Sequence, residues 1–137
     1  MTHRARAARS PVDEAGPQVQ SGLAGPAIRT FERIADRWRL SGIERERMLG
    51  LTHSKYHRVK ANPDAAALSG DTLERVSHVL GIFKALQVLF PDAPRADGWI
   101  DRPSQRLGGE SARSRLTSGR FSDLVDLRRY LDAARGW

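Results

Sequence analysis

One stretch of the chain, residues 71–90, constrains the fold more than any other, because its apolar residues lie on two sides of a helix. With about 3.6 residues per turn, the spacing produces two stripes. Leu73, Val76, Leu80, Phe83 and Gln87 form the first stripe, and Val79, Ile82, Leu86 and Leu89 form the second. A helix that is apolar on two sides must be covered on two sides. The sequence therefore predicts an all-α protein packed around this helix.

Two interpretations of that cover stay open, and they are compatible. Neighbouring helices of the same chain could wrap both sides, or a second copy of the chain could cover one of them. Because a chain of 137 residues has few other helices to offer, we predict a homodimer with Leu80 and Phe83 among its contacts.

The first 25 residues are expected to form a disordered basic arm. They mix Arg, Ala, Ser, Gly, Pro and Gln with scattered apolar residues, so they bury too little surface to offset the entropy of the chain. Three arginines of this arm, Arg4, Arg6 and Arg9, either contact phosphates or belong to a solvated tail.

Residues 26–62 have the spacing of a helix-turn-helix domain. A first helix follows Pro26 and ends at Ser41 and Gly42. A short helix then fits residues 43–49, Gly50 supplies a left-handed turn, and Thr52 caps a second helix that runs to about residue 60. The motif needs buried groups at five of its positions, which are Ile43, Leu49, Leu51, Tyr56 and Val59.

The outward side chains of the second helix suit the major groove of DNA, because they can reach base edges and phosphates. They are His53, Ser54, Lys55, His57, Arg58 and Lys60. Arg45 and Glu46 stand where such motifs usually carry an apolar and a small residue. The pattern thus predicts the shape of the motif and leaves its affinity for DNA open.

His53 and His57 are four residues apart, a spacing that also suits a pair of metal ligands. Because we expect no acidic residue or third histidine nearby, we predict no metal site. No cofactor is expected either.

Composition and motifs argue against several classes of protein. Without cysteine, disulfides, Cys-ligated zinc and thiol nucleophiles are excluded. The chain has no Gly-rich phosphate loop with a lysine and no plausible catalytic carboxylate pair, so we expect no enzyme. No apolar run approaches the roughly 20 residues of a membrane span, and the N-terminus lacks the apolar segment of a signal peptide. We therefore expect a cytoplasmic protein without a membrane partner.

Charge is unevenly placed along the chain. The net charge is +7, and residues 26–62 and 102–137 are basic whereas residues 63–101 are acidic. Basic blocks of this kind favour a polyanionic or acidic partner.

The C-terminal half has a distinctive order of elements. The apolar helix ends in LGIFKALQVLF and is followed by a short helix with Trp99 and a loop with Pro103, Gly108 and Gly109. Then come a helix of one or two turns, Gly119, and a final helix over about 121–135. This order resembles the toxin-binding domain of Xre/MbcA/ParS-type antitoxins over about residues 67–137. Residues 26–62 are similar to the helix-turn-helix domain that these antitoxins carry.

The resemblance implies an antitoxin of a type II toxin–antitoxin system that performs no chemistry itself. The usual partner is a RES-domain toxin, an enzyme that consumes NAD. The C-terminal region of the antitoxin closes the NAD pocket of the toxin, and the complex of the two proteins can repress its own promoter. The final helix has a predicted inner face of Phe121, Leu124, Val125 and Leu131, with Arg128 and Arg129 pointing away. We expect toxin contacts from Arg128, Arg129, Tyr130, Arg135 and Trp137.

The alternative function is a helix-turn-helix transcription regulator without a toxin partner. It would explain the basic segment at residues 26–62 and a dimer through the long helix. It would not explain a basic C-terminal block that ends in an aromatic residue.

Overall fold

The structure, a computed structural model, describes residues 21–136, and these residues form seven α-helices. They are α1 (Ser21–Arg37), α2 (Gly42–Leu49), α3 (His53–Ala61), α4 (Gly70–Leu89), α5 (Ala93–Gly98), α6 (Ala112–Leu116) and α7 (Phe121–Ala134). Short 3-10 turns lie at Pro63–Ala65, Trp99–Asp101 and Gln105–Leu107. The predicted all-α class is confirmed. Residues 1–20, most of the predicted arm, lie outside the described residues.

The first helix begins earlier than the sequence predicts, at Ser21 rather than after Pro26. Ala24 is fully buried and extends the apolar face one turn beyond Ile28. Pro26 removes the hydrogen bond to the carbonyl of Gly22, but Gly22 is exposed, so water can satisfy that carbonyl. Residues 21–25 are therefore helical and do not belong to a disordered arm.

The end of α1 also differs from the prediction, since Ser41 belongs to the next helix. Arg39 adopts a left-handed φ of 56°, and the Leu40 amide donates to the carbonyl of Ala35 at 3.0 Å, which closes the helix. The Ser41 hydroxyl accepts from the amide of Glu44, whose carboxylate accepts from the Ser41 amide at 2.8 Å. This reciprocal cap starts α2.

The turn between α2 and α3 has the predicted chemistry. Gly50 has a φ of 69°, and the Thr52 side chain accepts from the amide of Lys55 at 3.2 Å. Leu49 and Tyr56 are buried as predicted. Ile43 is not: it is 59% exposed, and Met48 on the inner face of α2 is buried instead.

The long helix α4 lies at the centre and packs mainly against α7 and α1. Its second stripe is buried at Val79, Ile82 and Leu86, so the chain covers that side itself. The first stripe is only partly covered, since Leu80 and Phe83 are half-buried.

The connector from Trp99 to Arg120 returns the chain to α4. Gly108, Gly109 and Gly119 have φ values of 71°, 84° and 88°, the left-handed region that the sequence predicts for a chain that turns here. Ser111 caps α6 by accepting from the amide of Ser114. The last helix, α7, consequently packs along α4.

Besides Arg37, which pairs with Asp97 of α5 at 3.0 Å, two arginines join the helix-turn-helix segment to the C-terminal helices, and the first is Arg75 on α4. It is only 9% exposed, pairs with Asp71 at 2.9 Å and donates to the carbonyls of Arg47 at 3.3 Å and Gly119 at 3.2 Å. A Cβ on Gly50 would lie only 2.9 Å from the Arg75 Nε. The Arg75 side chain therefore occupies space that is open because residue 50 has no side chain.

The second is Arg113 on α6. It donates to the Trp38 carbonyl and to Asp101, both at 2.6 Å, and to Glu44 at 2.8 Å. The hydrogen bond to Asp101 and the one to Glu44 outweigh the effect of burial and raise the pKa of Arg113. One guanidinium thus holds the end of α1, the start of α2 and the connector together.

Candidate functional site

The outer face of α3 presents most of the side chains predicted to meet DNA. His53, Ser54, His57, Arg58 and Lys60 are exposed on this one helix. Lys55 differs, because it is half-buried and its Nζ donates to the carbonyl of Ala67 at 3.2 Å. The face thus offers two exposed cations, Arg58 and Lys60, beside two imidazoles and a hydroxyl.

Arg45, which departs from the usual pattern of the motif, points inward to α1. Its side chain is 12% exposed, and it pairs with Glu32 at 2.6 Å and Asp36 at 2.9 Å and donates to the carbonyl of Leu40. Burial opposes the charge of Arg45, but the hydrogen bonds to Asp36 and Glu32 prevail and its pKa is raised. An ion pair therefore stands where the motif usually has an apolar contact.

Glu32 also holds α3 in place. The Tyr56 hydroxyl donates to its carboxylate at 2.7 Å, so one carboxylate joins α1, α2 and α3. Burial and this hydrogen bond raise the pKa of Tyr56. The ion pairs of Arg45 and Glu32 thus replace an apolar contact between the helices of the motif. They lie on the inner side of α3 and leave its outer face exposed.

Glu46, the other unusual residue, is close to the two histidines of α3. Its Oε2 lies 2.8 Å from the His53 Nδ1, and the rings of His53 and His57 have centroids 4.3 Å apart. One ligand atom from each of the three residues lies within 4.8 Å of the others. The prediction that no acidic residue lies near the histidines is wrong, because the turn at Gly50 folds Glu46 back toward α3.

The C-terminal helix carries the residues predicted to contact a toxin, and Arg128 is not oriented as predicted. Instead of pointing away, it lies across α4, 35% exposed, with its Nη1 3.4 Å from the Ser77 carbonyl and 3.5 Å from the His78 Nδ1. A Cβ on Gly81 would lie 2.5 Å from its guanidinium. Arg128 can therefore pack against α4 at this point only because residue 81 has no side chain.

The other predicted contacts differ in exposure. Arg129 is exposed, whereas Tyr130 is partly buried against the core and Arg135 is half-buried, 3.8 Å from Asp132. Trp137 lies outside the described residues. The inner face of α7 consists of Leu124, Leu127 and Leu131, while Phe121 and Val125 are only half-buried.

The residues predicted to form a dimer contact lie on the partly covered stripe of α4. The Phe83 ring is 6.0 Å from that of Trp38 and 4.9 Å from the Arg37 guanidinium, so α1 covers part of it. Val88, also on α4, is 58% exposed. Within residues 21–136 no helix has both the length and the apolar character to cross a membrane.

Two family models match the chain in tandem. Residues 17–81 match the antitoxin Xre-like helix-turn-helix domain, and residues 85–136 match the antitoxin Xre/MbcA/ParS C-terminal toxin-binding domain. The two matches meet inside α4, which packs against both halves; the boundary predicted between residues 62 and 67 stays a prediction.

A relative of the whole chain is also found. The uncharacterized protein y4oB of Sinorhizobium fredii (strain NBRC 101917 / NGR234) is 40% identical over 126 residues. The similarity covers 92% of this chain and 97% of that protein, so it includes both halves.

Proposed function

This chain belongs to the Xre/MbcA/ParS antitoxin family, and from that premise we propose that it neutralises a RES-domain toxin and binds its own promoter. The observation that carries the proposal is the match of residues 85–136, α5 to α7 included, to the toxin-binding domain. That match favours an antitoxin over a transcription regulator without a toxin partner. A regulator of that kind has no use for such a domain.

The surface that we assign to the toxin is the exposed side and end of α7. Arg129 is exposed there, and Arg128 keeps a third of its side chain exposed beside it. Aromatic and Arg side chains are common energetic anchors of interfaces. Side chains of both kinds can also block parts of a pocket that binds a nucleotide. We assign Arg135 and Trp137, at the end of the chain, to the mouth of the toxin's NAD site.

A neutralisation assay tests this proposal. The proposal predicts a RES-domain gene beside this one. Its product is purified with the full chain, and its consumption of NAD is measured. We expect inhibition, weakened by deletion of residues 135–137 and by Arg129→Ala. Arg33→Ala is the matched control, because Arg33 is exposed on α1 outside the match to the toxin-binding domain. Undiminished inhibition by the truncated chain would assign neutralisation to another surface.

We also assign promoter binding to the outer face of α3. Arg58 and Lys60 supply phosphate contacts, and His53, Ser54 and His57 lie where base edges would be met. Lys55 contributes only if it leaves the carbonyl of Ala67.

A salt titration distinguishes these contacts from other basic surfaces. Each phosphate contact contributes about 0.9 to the slope of log K against log salt, so Arg58→Ala with Lys60→Ala should lower that slope by about 2. Lys84→Ala, at an exposed lysine of α4, should leave the slope unchanged. Equal affinity for the promoter and for a scrambled duplex would contradict base recognition, and an unchanged slope would contradict the assignment to α3.

A homodimer through α4 completes the proposal. Leu80 and Phe83 are half-buried within one chain, and the exposed Val88 lies on the same helix. Sedimentation of the full chain at micromolar concentration tests it, with Leu80→Asp expected to produce monomers. A monomeric wild type would contradict the dimer without affecting toxin binding.

A further inference from the structure

We propose that Glu46, His53 and His57 form a binding site for a divalent metal ion of the zinc class, which ties α2 to α3. Nothing in the proposed antitoxin function requires this site, and the inference does not depend on DNA or toxin binding. It rests on the arrangement of three side chains from two helices.

The two histidines are one helical turn apart, so their rings lie on the same side of α3. Their centroids are 4.3 Å apart in an edge-on arrangement, and one nitrogen of each ring lies within 4.8 Å of the other. The third ligand arrives from α2, where the Glu46 Oε2 is 2.8 Å from the His53 Nδ1.

The distances between ligand atoms suit a metal after small side-chain rotations. The three atoms lie within 4.8 Å of one another. Bonds of about 2.0–2.2 Å in tetrahedral geometry place ligand atoms about 3.4 Å apart. His53 is 73% exposed and His57 is exposed, so both rings can turn, whereas the Glu46 side chain is only 14% exposed and stays in place.

The donor set selects the class of metal. Two imidazoles and one carboxylate are the protein ligands of many open zinc sites, with water at the fourth position. Nitrogen donors disfavour Mg²⁺ and Ca²⁺, which take oxygen ligands, and favour Zn²⁺, Ni²⁺ and Cu²⁺. The ion would replace the Glu46–His53 hydrogen bond by bonds that cross the turn at Gly50. It would therefore stabilise α3 against α2.

Calorimetry on the full chain without a histidine tag tests the site, with ZnCl₂ as the titrant. We expect one ion per chain, a Tm that rises with zinc concentration and returns to its initial value with EDTA, and a tetrahedral visible spectrum with Co²⁺. His53→Gln, His57→Gln and Glu46→Gln should each weaken binding at least about tenfold. His3→Gln and His78→Gln are the matched controls and should bind zinc as the wild type does.

Circular dichroism without metal verifies that each variant keeps its helical content, so that lost binding is not lost folding. Binding weaker than about 1 mM, or without an effect on Tm, would overturn the proposal. Full binding by Glu46→Gln would also overturn it, because the ion would then be held by the histidine pair alone and would not join the two helices.

Discussion

The guanidinium of Arg113 donates a 2.6 Å hydrogen bond to the main-chain carbonyl of Trp38, 75 residues earlier in the chain. Arg75 makes a second connection of this kind, from α4 to the carbonyl of Arg47 in the last turn of α2 and to that of Gly119. The buried residues of both halves also form one continuous core. We therefore expect residues 21–136 to unfold in a single transition.

Arg113→Met should lower the free energy of unfolding by about 2 kcal/mol, because it leaves the Trp38 carbonyl and Glu44 without their charged donor. Urea denaturation measures it. Arg106→Met, which removes an exposed arginine of the same connector, should change stability by no more than about 0.5 kcal/mol. If both variants lost the same amount, the connection to α1 would not be the cause.

Tyr56→Phe should cost about 1.5 kcal/mol, since it removes the hydroxyl that donates to Glu32 and keeps the ring in the core. Tyr130→Phe, at a partly buried tyrosine on α7, is the control and should be nearly neutral. Thermal and urea denaturation of both variants give the comparison. A neutral Tyr56→Phe would show that Arg45 satisfies Glu32 without help.

Gly81→Ala and Arg128→Ala should not be additive. Alanine favours a helix over glycine by about 1 kcal/mol, but the new Cβ would meet the Arg128 guanidinium and displace it from α4. We expect Gly81→Ala to stabilise the Arg128→Ala protein by about 1 kcal/mol and the wild type by clearly less.

A double-mutant cycle from urea denaturation gives the coupling between the two positions. Gly70→Ala is the control, because its Cβ would have no neighbour within 4 Å, and its effect should be the same in both backgrounds. Equal effects of Gly81→Ala with and without Arg128 would contradict the close contact.

Stability should fall as the pH drops below about 6.5, in part because of His78. Burial lowers the pKa of this histidine from 6.5, and the charge of Arg128 lowers it further, with a smaller contribution of the same sign from Arg129 and an opposing one from Glu74. The unfolded chain therefore takes up a proton that the folded chain does not, and unfolding becomes easier.

Stability is unaffected by His78 above the unfolded pKa of 6.5; it falls as the pH drops below that value, until the pH has passed the lower pKa of the folded state. Urea midpoints at about pH 7.5 and 5.5 measure the loss, which should be smaller in His78→Gln. An identical loss in the two proteins would mean that other groups cause the pH dependence.

Local signals in the sequence predict much of this fold. The periodicity of α4, the cap at Thr52 and the left-handed turn at Gly50 depend on neighbours within a few residues, and each is present. Predictions based on one residue alone fared less well. Pro26 does not start α1, because the burial of Ala24 extends the helix beyond it.

The candidate sites depend on contacts between distant residues, which periodicity does not reveal. Arg128 lies across α4 because Gly81, 47 residues before it, has no side chain. Glu46 joins His53 through the reversal at Gly50, and that proximity could have been anticipated, since such a turn sets the end of one helix beside the start of the next. No local pattern indicates that Arg75 reaches Gly119.

Gly50 has two separate reasons to be glycine: its φ of 69° and the Arg75 side chain that fills the space beside it. Through Arg75, the same position is connected to Gly119, two residues before the first residue of α7. A substitution in the turn between α2 and α3 is thereby pleiotropic, because it disturbs the packing of the helix at the opposite end of the sequence. For the two activities proposed above, promoter binding and toxin neutralisation, a mutational scan for one should recover Gly50 as readily as a scan for the other.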